Sequence, residues 1–288
     1  MTAPRARAVV SVLATVALAG CTGAAARDAD GTVDVVTTSY PLQWVTEQVA
    51  GPEVAVTNLV PPGGDTHGFE PAPAQVVELA EADLVVHLSG GLQPGVDAVL
   101  EQEPPRHLVD VAAVADLDGD PHFWLDPLRL SAVARDVGAV LAELDVAAAE
   151  DVAARVAGVE SLLAALDEEY ATALAGCRGA TLVTGHEAYG YLAERHGLRQ
   201  VGIAGIDPAV EPSPVRLREA AETVQETSVR TVFFDAAASQ ATAAALADDL
   251  GVATDVLHPI ERVAPGEDYL DLMRDNLAAL QRGLVCEG

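Results

Sequence analysis

The chain has 288 residues, half of them hydrophobic, and it carries 44 acidic residues against 16 basic ones, which gives a net charge of −28. The length allows two ordinary domains, and the low aromatic content predicts an aliphatic core. The excess negative charge argues against nucleic acid and anionic membrane surfaces as partners and favours a cationic ligand.

The first twenty residues have the pattern of a secretion signal. Arg5 and Arg7 precede an apolar run, residues 8–20, that is too short to span a membrane as a mature helix. The run ends directly before Cys21, an arrangement that resembles the lipobox of bacterial lipoproteins, in which the cysteine is lipid-modified. The alternative is an ordinary secretory signal with a chance cysteine. We expect a signal peptide over residues 1–20, a lipidated tether over 21–32, and a membrane-anchored protein at the cell surface or in the periplasm.

Strands and helices alternate through residues 33–127. Strand-like runs at 33–39, 53–60, 83–88 and 107–111 are separated by helical patterns. This alternation predicts an N-terminal α/β lobe with a mostly parallel sheet covered by helices. The second strand leads into PPGGDTHGFEP, residues 61–71, where prolines and glycines form a tight loop around His67. Residues 119–127, GDPHFWLDP, carry His122 at the end of this region.

A long helical pattern follows, because residues 128–174 lack proline and repeat apolar residues at spacings of three and four. The pattern is either one very long helix or a helical pair interrupted near residues 145–149. We predict a single connecting helix over residues 128–176.

The βα alternation resumes in a C-terminal lobe, residues 177–288. His186 directly follows the strand predicted at 180–184, and His258 follows the last strand, predicted at 252–257. The whole chain is therefore assigned to the α/β class. Cys177 and Cys286 remain once Cys21 is lipidated; they are too far apart for a CxxC-type metal site, and outside the cytoplasm they can form a disulfide or stay free.

Four histidines, His67, His122, His186 and His258, share a position in loops that follow strands or precede proline turns. In doubly wound sheets such loops meet at the carboxyl ends of the strands, where ligands bind. Four imidazoles, or three with a carboxylate, suit Zn²⁺, whereas Mn²⁺ favours carboxylate and water. The spacing alone is weak evidence, since isolated loop histidines are usually surface residues and no HxxxH or HExxH pair is present.

The segments PPGGDTHGFEP, DLVVHLSGGLQP, GDPHFWLDP and TGHEAYGYLAERHGL, in this order around a long helix, resemble the metal-binding ABC-transporter substrate-binding lipoproteins of the zinc/manganese type. The similarity extends over nearly the whole mature chain. It implies two α/β lobes joined by a long rigid helix, with a metal in the cleft between them. It further implies a monomer without catalytic activity that captures Zn²⁺ with high affinity and delivers it to an ABC-transporter permease.

The resemblance assigns the ligands position by position. His67 and His122 match the first two family ligands, and His186 matches the third, which is histidine in zinc-type members and commonly glutamate in manganese-type ones. The fourth is normally an aspartate in an LDP-like turn, which here reads Leu257-His258-Pro259. This predicts His258 as the fourth ligand, with Asp255 as the alternative if the alignment shifts by three.

Two other functions stay open at this point. The first keeps the transport role with manganese or iron as cargo. The second is a secreted zinc hydrolase with Glu187 or Glu70 as the general base; it needs an open water position on the metal, which a fourth protein ligand would close. As acceptors of imidazole N–H bonds we expect Glu70, Glu187 and Asp126, which flank the ligands.

Overall fold

The computed structural model describes residues 32–115, 117, 119–227, 229–235 and 240–286, with the side chains of 240–243 left out of the description. The predicted signal peptide, the predicted tether up to residue 31 and the lipidation site at Cys21 lie outside these ranges. In the described part of the chain, no helix has both the length and the apolar character that crossing a membrane requires.

The N-terminal lobe contains a four-stranded sheet in the order β2-β1-β3-β4, with every pair of neighbours parallel. Its strands are β1 (Val33–Thr37), β2 (Val54–Asn58), β3 (Leu84–His87) and β4 (Leu108–Asp110). Its helices are α1 (Tyr40–Ala50), α2 (Pro73–Glu81), α3 (Pro94–Gln102) and α4 (Val111–Val114). Strand β3 is buried along its whole length, as expected for a parallel sheet covered by helices on both faces.

The C-terminal lobe repeats this topology, with a parallel sheet in the order β6-β5-β7-β8. Its strands are β5 (Thr181–Thr184), β6 (Arg199–Gly202), β7 (Thr231–Asp235) and β8 (Ala253–Leu257). Its helices are α7 (Gly190–His196), α8 (Pro214–Glu226), α9 (Gln240–Leu250) and α10 (Tyr269–Gly283). The predicted α/β class with two helix-flanked parallel sheets is thus confirmed.

The connection between the lobes differs from the predicted single helix. It consists of α5 (Pro127–Glu143) and α6 (Ala149–Ala173), which pack against each other. Helix α5 begins where the Asp126 side chain accepts a bond from the Leu128 N–H, with proline at the first helical position. The turn after α5 contains Asp145 at φ 51°, in the left-handed region that stops a right-handed helix. Of the two helices, the 25-residue α6 contacts α1 in one lobe and α10 in the other.

Side-chain hydrogen bonds fasten the two lobes to each other. The indole N–H of Trp44 donates to Asp268 (3.0 Å) and that of Trp124 donates to the Pro259 carbonyl (2.8 Å). The Tyr269 hydroxyl donates to the Trp124 carbonyl (2.6 Å). All these aromatic rings are buried in one apolar core that extends through both lobes and the connecting helices. The core therefore holds the loops at the carboxyl ends of both sheets in a fixed relation.

A disulfide joins Cys177, just before β5, to Cys286, just after α10, with the Cα atoms 4.2 Å apart. It ties the end of the last helix to the beginning of the first strand of the same lobe.

Candidate metal centre

Three imidazoles and one carboxylate converge between the lobes. His67, His122, His186 and Glu261 each present one nitrogen or oxygen atom, and these four atoms all lie within 4.8 Å of one another. The four residues follow β2, α4, β5 and β8, respectively, so each lies in a loop beyond the carboxyl end of a sheet. His122, His186 and Glu261 are buried, whereas His67 retains slight exposure.

The spacing of the ligand atoms fits a small tetrahedral ion. Four ligands about 2.0–2.1 Å from a zinc ion lie roughly 3.3 Å from one another. The Nε2 atoms of His67 and His122 are 3.3 Å apart. The Oε1 atom of Glu261 lies closer, 2.6 Å from His67 Nε2 and 2.7 Å from His122 Nε2, as hydrogen-bonded partners do. The two nitrogens therefore already have the separation that zinc requires, whereas the carboxylate oxygen would move outward by roughly half an ångström to bind the same ion.

Two aspartates orient the buried imidazoles. Asp120 lies 2.6 Å from Nδ1 of His122, and Asp235 lies 2.7 Å from Nδ1 of His186. A carboxylate at Nδ1 keeps the proton there and leaves Nε2 as the metal-binding atom. Among the described residues, the buried Nε2 of His186 has no hydrogen-bond partner. A buried polar atom without a partner is costly, and a metal ion in this position would satisfy it.

The protonation of the group follows from its charges. Burial lowers the pKa of His122, but Glu261 and Asp120 outweigh burial and raise this pKa to about 9. Burial likewise tends to raise the pKa of Glu261, but His122 and His67 hold it well below its usual range. Without a metal, Glu261 is therefore ionised at neutral pH, and it accepts a hydrogen bond from the protonated His122. A divalent cation would take over this neutralising role.

The loops of His67 and Glu261 hold each other. The Thr66 hydroxyl donates to the Glu261 carbonyl (3.1 Å), and the Gly63 N–H donates to the Val263 carbonyl (2.9 Å). Asp65 and Arg262 form an ion pair across the same contact. We call residues 61–71 and 258–268 the clamp loops, because each comes from a different lobe and each carries one member of the group.

The structure does not bring His258 into the group, and Glu261 stands where that fourth member was predicted. Asn276 of α10 holds the backbone of His258 at both ends, accepting from its N–H (2.6 Å) and donating to its carbonyl (2.7 Å). The chain then turns at Ile260, a buried β-branched residue at φ 61°, which directs Glu261 toward the imidazoles. Such a backbone is strained and tends to occur at functional sites.

The alternative residue, Asp255, also lies outside the group. It is part of β8 and makes two hydrogen bonds to Arg282, of 3.0 and 3.2 Å. A sequence signal for Glu261 did exist, since it is the first carboxylate after β8 and lies in a proline-bearing loop. The turn at Ile260 that makes it reach the site is not readable from the residue type.

None of the residues predicted to support the imidazoles, Glu70, Glu187 and Asp126, is hydrogen-bonded to one among the described residues, where Asp120 and Asp235 take that place. Asp126 caps α5, and Glu187 pairs with Arg216. Outside the metal group, His87 is buried between Thr38 (3.0 Å from Nδ1) and Asp97 (2.6 Å from Nε2). Burial, against the effect of Asp97, lowers the pKa of His87. This third histidine–aspartate pair belongs to no metal-binding group among the described residues and serves as an internal comparison for the pairs at the metal group.

A cavity of about 580 Å³ opens beside His67 and Asp120, lined mainly by glycine and apolar residues from both lobes. It offers an approach to the otherwise buried group.

Two α/β lobes with a buried set of ligand atoms between them, spaced for a single ion, define the two-lobed class of solute-binding proteins. The family model described as "ZnuA: Zinc-uptake complex component A periplasmic" matches residues 35–283. The chain therefore belongs to the ZnuA family, as the sequence resemblance predicted.

Individual relatives are named as zinc-binding or zinc-uptake proteins. The chain is 32% identical to the zinc-binding lipoprotein AdcA of Streptococcus pneumoniae, over 91% of this chain and 58% of that protein. It is 29% identical to the high-affinity zinc uptake system protein ZnuA of Bacillus subtilis, over 87% of each. The chain thus spans little more than half the length of AdcA.

Solved structures of similar sequence have the same fold. The Zn(II)-bound ZnuA-like domain of Streptococcus pneumoniae AdcA superposes with a TM-score of 0.76 at 32% identity, covering 88% of this chain and 99% of that one. The laminin-binding protein Lmb of Streptococcus agalactiae gives a TM-score of 0.78 at 31% identity, covering 87% and 99% of the two chains.

Proposed function

We propose that this protein captures Zn²⁺ outside the cytoplasm and delivers it to an ABC-transporter permease for import, with His67, His122, His186 and Glu261 as the zinc ligands. The observation that carries the proposal is the convergence of these four ligand atoms within 4.8 Å, with Nε2 of His186 buried and unpartnered among the described residues. Imidazoles whose Nδ1 atoms are already hydrogen-bonded lose little conformational freedom when a metal ion binds.

Zinc is favoured over manganese or iron because three of the four proposed ligands are imidazoles. Manganese prefers carboxylate and water. With Glu261 in place of His258, the proposed site is less nitrogen-rich than four histidines would make it, yet it retains the histidine majority. The relatives named above as zinc-binding and zinc-uptake proteins support the same choice.

Capture is favoured over hydrolysis because four protein ligands complete a tetrahedral zinc shell. A catalytic zinc keeps one position for water and needs a general base beside it. Glu261 would occupy that fourth position, and Glu187, one of the two bases considered from the sequence beside Glu70, is engaged with Arg216. We therefore propose a binding protein without enzymatic activity.

The setting of the protein follows from the same proposal. Lipidation of Cys21 would hold a monomer at the outer face of the membrane, with residues 1–20 removed as a signal peptide. Residues 33–127 and 177–288 would act as the two lobes, with residues 128–176 connecting them. The relative AdcA of Streptococcus pneumoniae is named a lipoprotein, which supports the anchor.

Metal analysis of the purified protein, followed by titration against a competing chelator, tests the function. We expect one equivalent of retained zinc and tighter binding of zinc than of manganese. His122→Ala should lose the metal, while His107→Ala, which changes a histidine outside the group, should keep it. Absence of bound zinc together with no affinity above background would rule the proposal out.

A further inference from the structure

A second cavity, of about 460 Å³, opens on the C-terminal lobe at the amino ends of its strands, away from the metal centre. Arg178, Arg199 and Arg230 line it, and its described lining contains no aspartate or glutamate. We call it the arginine cavity. This composition is unusual for a chain with 44 acidic and 16 basic residues.

The sheet topology brings these arginines together. Arg199 begins β6 and is paired with Thr181 at the beginning of β5. Arg230 directly precedes β7, and the pairing of Val183 with Val232 carries the register back to Arg230 beside Thr181. Arg199 and Arg230 therefore flank β5 in one row, two strand spacings or roughly 10 Å apart. Arg178 lies just before the same strand.

The three guanidinium groups are not neutralised within the described protein. Eight other arginines each form an ion pair with a carboxylate, namely Arg106, Arg129, Arg135, Arg195, Arg216, Arg262, Arg274 and Arg282. No such pair joins Arg178, Arg199 or Arg230 to a carboxylate of the described residues. Like charges around one cavity repel each other unless an anion lies between them.

The walls of the arginine cavity are held in place. The disulfide between Cys177 and Cys286 fixes the chain that contributes Arg178 on one side and Val285 on the other. The guanidinium of Arg178 lies against Gly197, where a Cβ atom would come within 3.1 Å of its Cζ atom. A preformed wall lowers the entropy that a ligand must lose on binding.

We propose that the arginine cavity binds a phosphate ester group, carried either by a small soluble molecule or by a lipid headgroup. Guanidinium groups match phosphate oxygens in planar, paired hydrogen bonds, and three of them suit an oxyanion with several acceptor oxygens. The volume lies in the range of small-molecule sites, roughly 300–1,000 Å³, so it admits the organic part of the ester as well. Thr181 adds a hydroxyl group to the lining, whereas the hydroxyl of Thr227 donates to the Thr223 carbonyl (2.6 Å).

The test uses the full chain carrying Cys21→Ser, which prevents lipidation. Glycerol phosphate is titrated by calorimetry at low salt, and co-sedimentation is measured with vesicles of phosphatidylglycerol or of phosphatidylcholine. The variants Arg199→Glu and Arg230→Glu each remove one guanidinium group, and the double variant removes both. Arg218→Glu, at an exposed arginine outside the cavity, has the same charge change as either single variant. Retained zinc affinity and circular dichroism show that every variant is folded.

We expect saturable binding of at least one probe, weakened about tenfold or more by the double variant because charged hydrogen bonds to phosphate are lost. Arg218→Glu should bind as the parent does. Binding of glycerol phosphate alone indicates a soluble ester, and binding to phosphatidylglycerol vesicles but not to phosphatidylcholine vesicles indicates a headgroup; both support the proposal. Lack of saturable binding to either probe, or equal weakening by Arg218→Glu, overturns it.

Discussion

The two lobes differ in the strands that precede their proposed ligands. In the N-terminal lobe both edge strands do so: His67 comes after β2, and His122 comes after β4 and its short α4. In the C-terminal lobe His186 follows the central strand β5, whereas Glu261 follows the edge strand β8. The two sheets share one strand order, and the equivalent edge strands β4 and β8 both precede a member of the group, His122 and Glu261. The other two members follow strands that are not equivalent, β2 for His67 and β5 for His186. A repeated topology therefore fixes where ligand loops gather but only partly which loops supply the ligands.

The lobes also differ in how they support their imidazoles. His122 is oriented by Asp120, two residues away in the same loop, whereas His186 is oriented by Asp235 from the neighbouring strand β7. Asp235 is almost fully buried, and the Asp120 side chain keeps 19% of its exposure. We infer that the C-terminal lobe supplies the more rigid half of the site.

Removing an imidazole from the rigid half should have the largest effect. His186→Ala deletes a buried proposed ligand and also leaves Asp235 as an unpaired carboxylate. We expect zinc affinity to fall by more than about 100-fold, beyond the range seen for supporting residues. Chelator competition measures the change, with His107→Ala as the control. Full affinity in the His186→Ala protein would contradict the proposed ligand set.

The supporting aspartates should rank by burial. Asp235→Asn and Asp120→Asn should each lower zinc affinity by roughly 10- to 100-fold, because an amide does not fix the Nδ1 proton as a carboxylate does. The Asp235 change should have the larger effect. Asp97→Asn, at the histidine–aspartate pair of His87 outside the site, is the matched control. Equal losses from all three variants would show that the effect reflects general stability instead of ligand orientation.

The dependence of zinc affinity on pH should be set by His122 in the N-terminal lobe. Zinc binds the unprotonated imidazole, and the pKa of His122 is raised to about 9 in the metal-free protein. At neutral pH zinc must displace this proton, so affinity should rise with pH by roughly tenfold per unit and level off near pH 9. Competition titrations from pH 6.5 to 9.5 measure the slope. A flat profile across this range would contradict the protonation assigned to His122.

The contact between the clamp loops should have the smallest effect. Arg262→Ala removes the partly exposed ion pair with Asp65, and such pairs contribute about 0–1 kcal/mol. We expect a small decrease in thermal stability and at most about a fivefold loss of zinc affinity. Arg135→Ala removes the exposed pair with Glu160 far from the metal group and is the control. A loss of zinc affinity as large as that of His186→Ala would mean that the clamp loops, not the ligands, dominate binding.

Much of this arrangement could be predicted from the sequence, because parallel α/β topology follows from alternating apolar patterns and places post-strand loops together. His67, His122 and His186 were predicted from their loop positions and the family resemblance, and the structure brings them together. Asp145 and Ile260 adopt positive φ values at positions without glycine. The sequence indicated an interruption near residues 145–149, and the turn at Asp145 decides for the helical pair instead of the predicted single helix. The turn at Ile260 has no such sequence signal, and it brings Glu261 instead of His258 into the group.

The fourth position is where the two lobes meet and where sequence and structure differ, so it provides the most direct test. Zinc affinity is to be measured by chelator competition for Glu261→Ala and His258→Ala side by side, with circular dichroism to show that both are folded. The arrangement of the site predicts a loss of more than about 100-fold for Glu261→Ala and a change within about threefold for His258→Ala. Unchanged affinity in Glu261→Ala together with a large loss in His258→Ala would contradict the proposed zinc site.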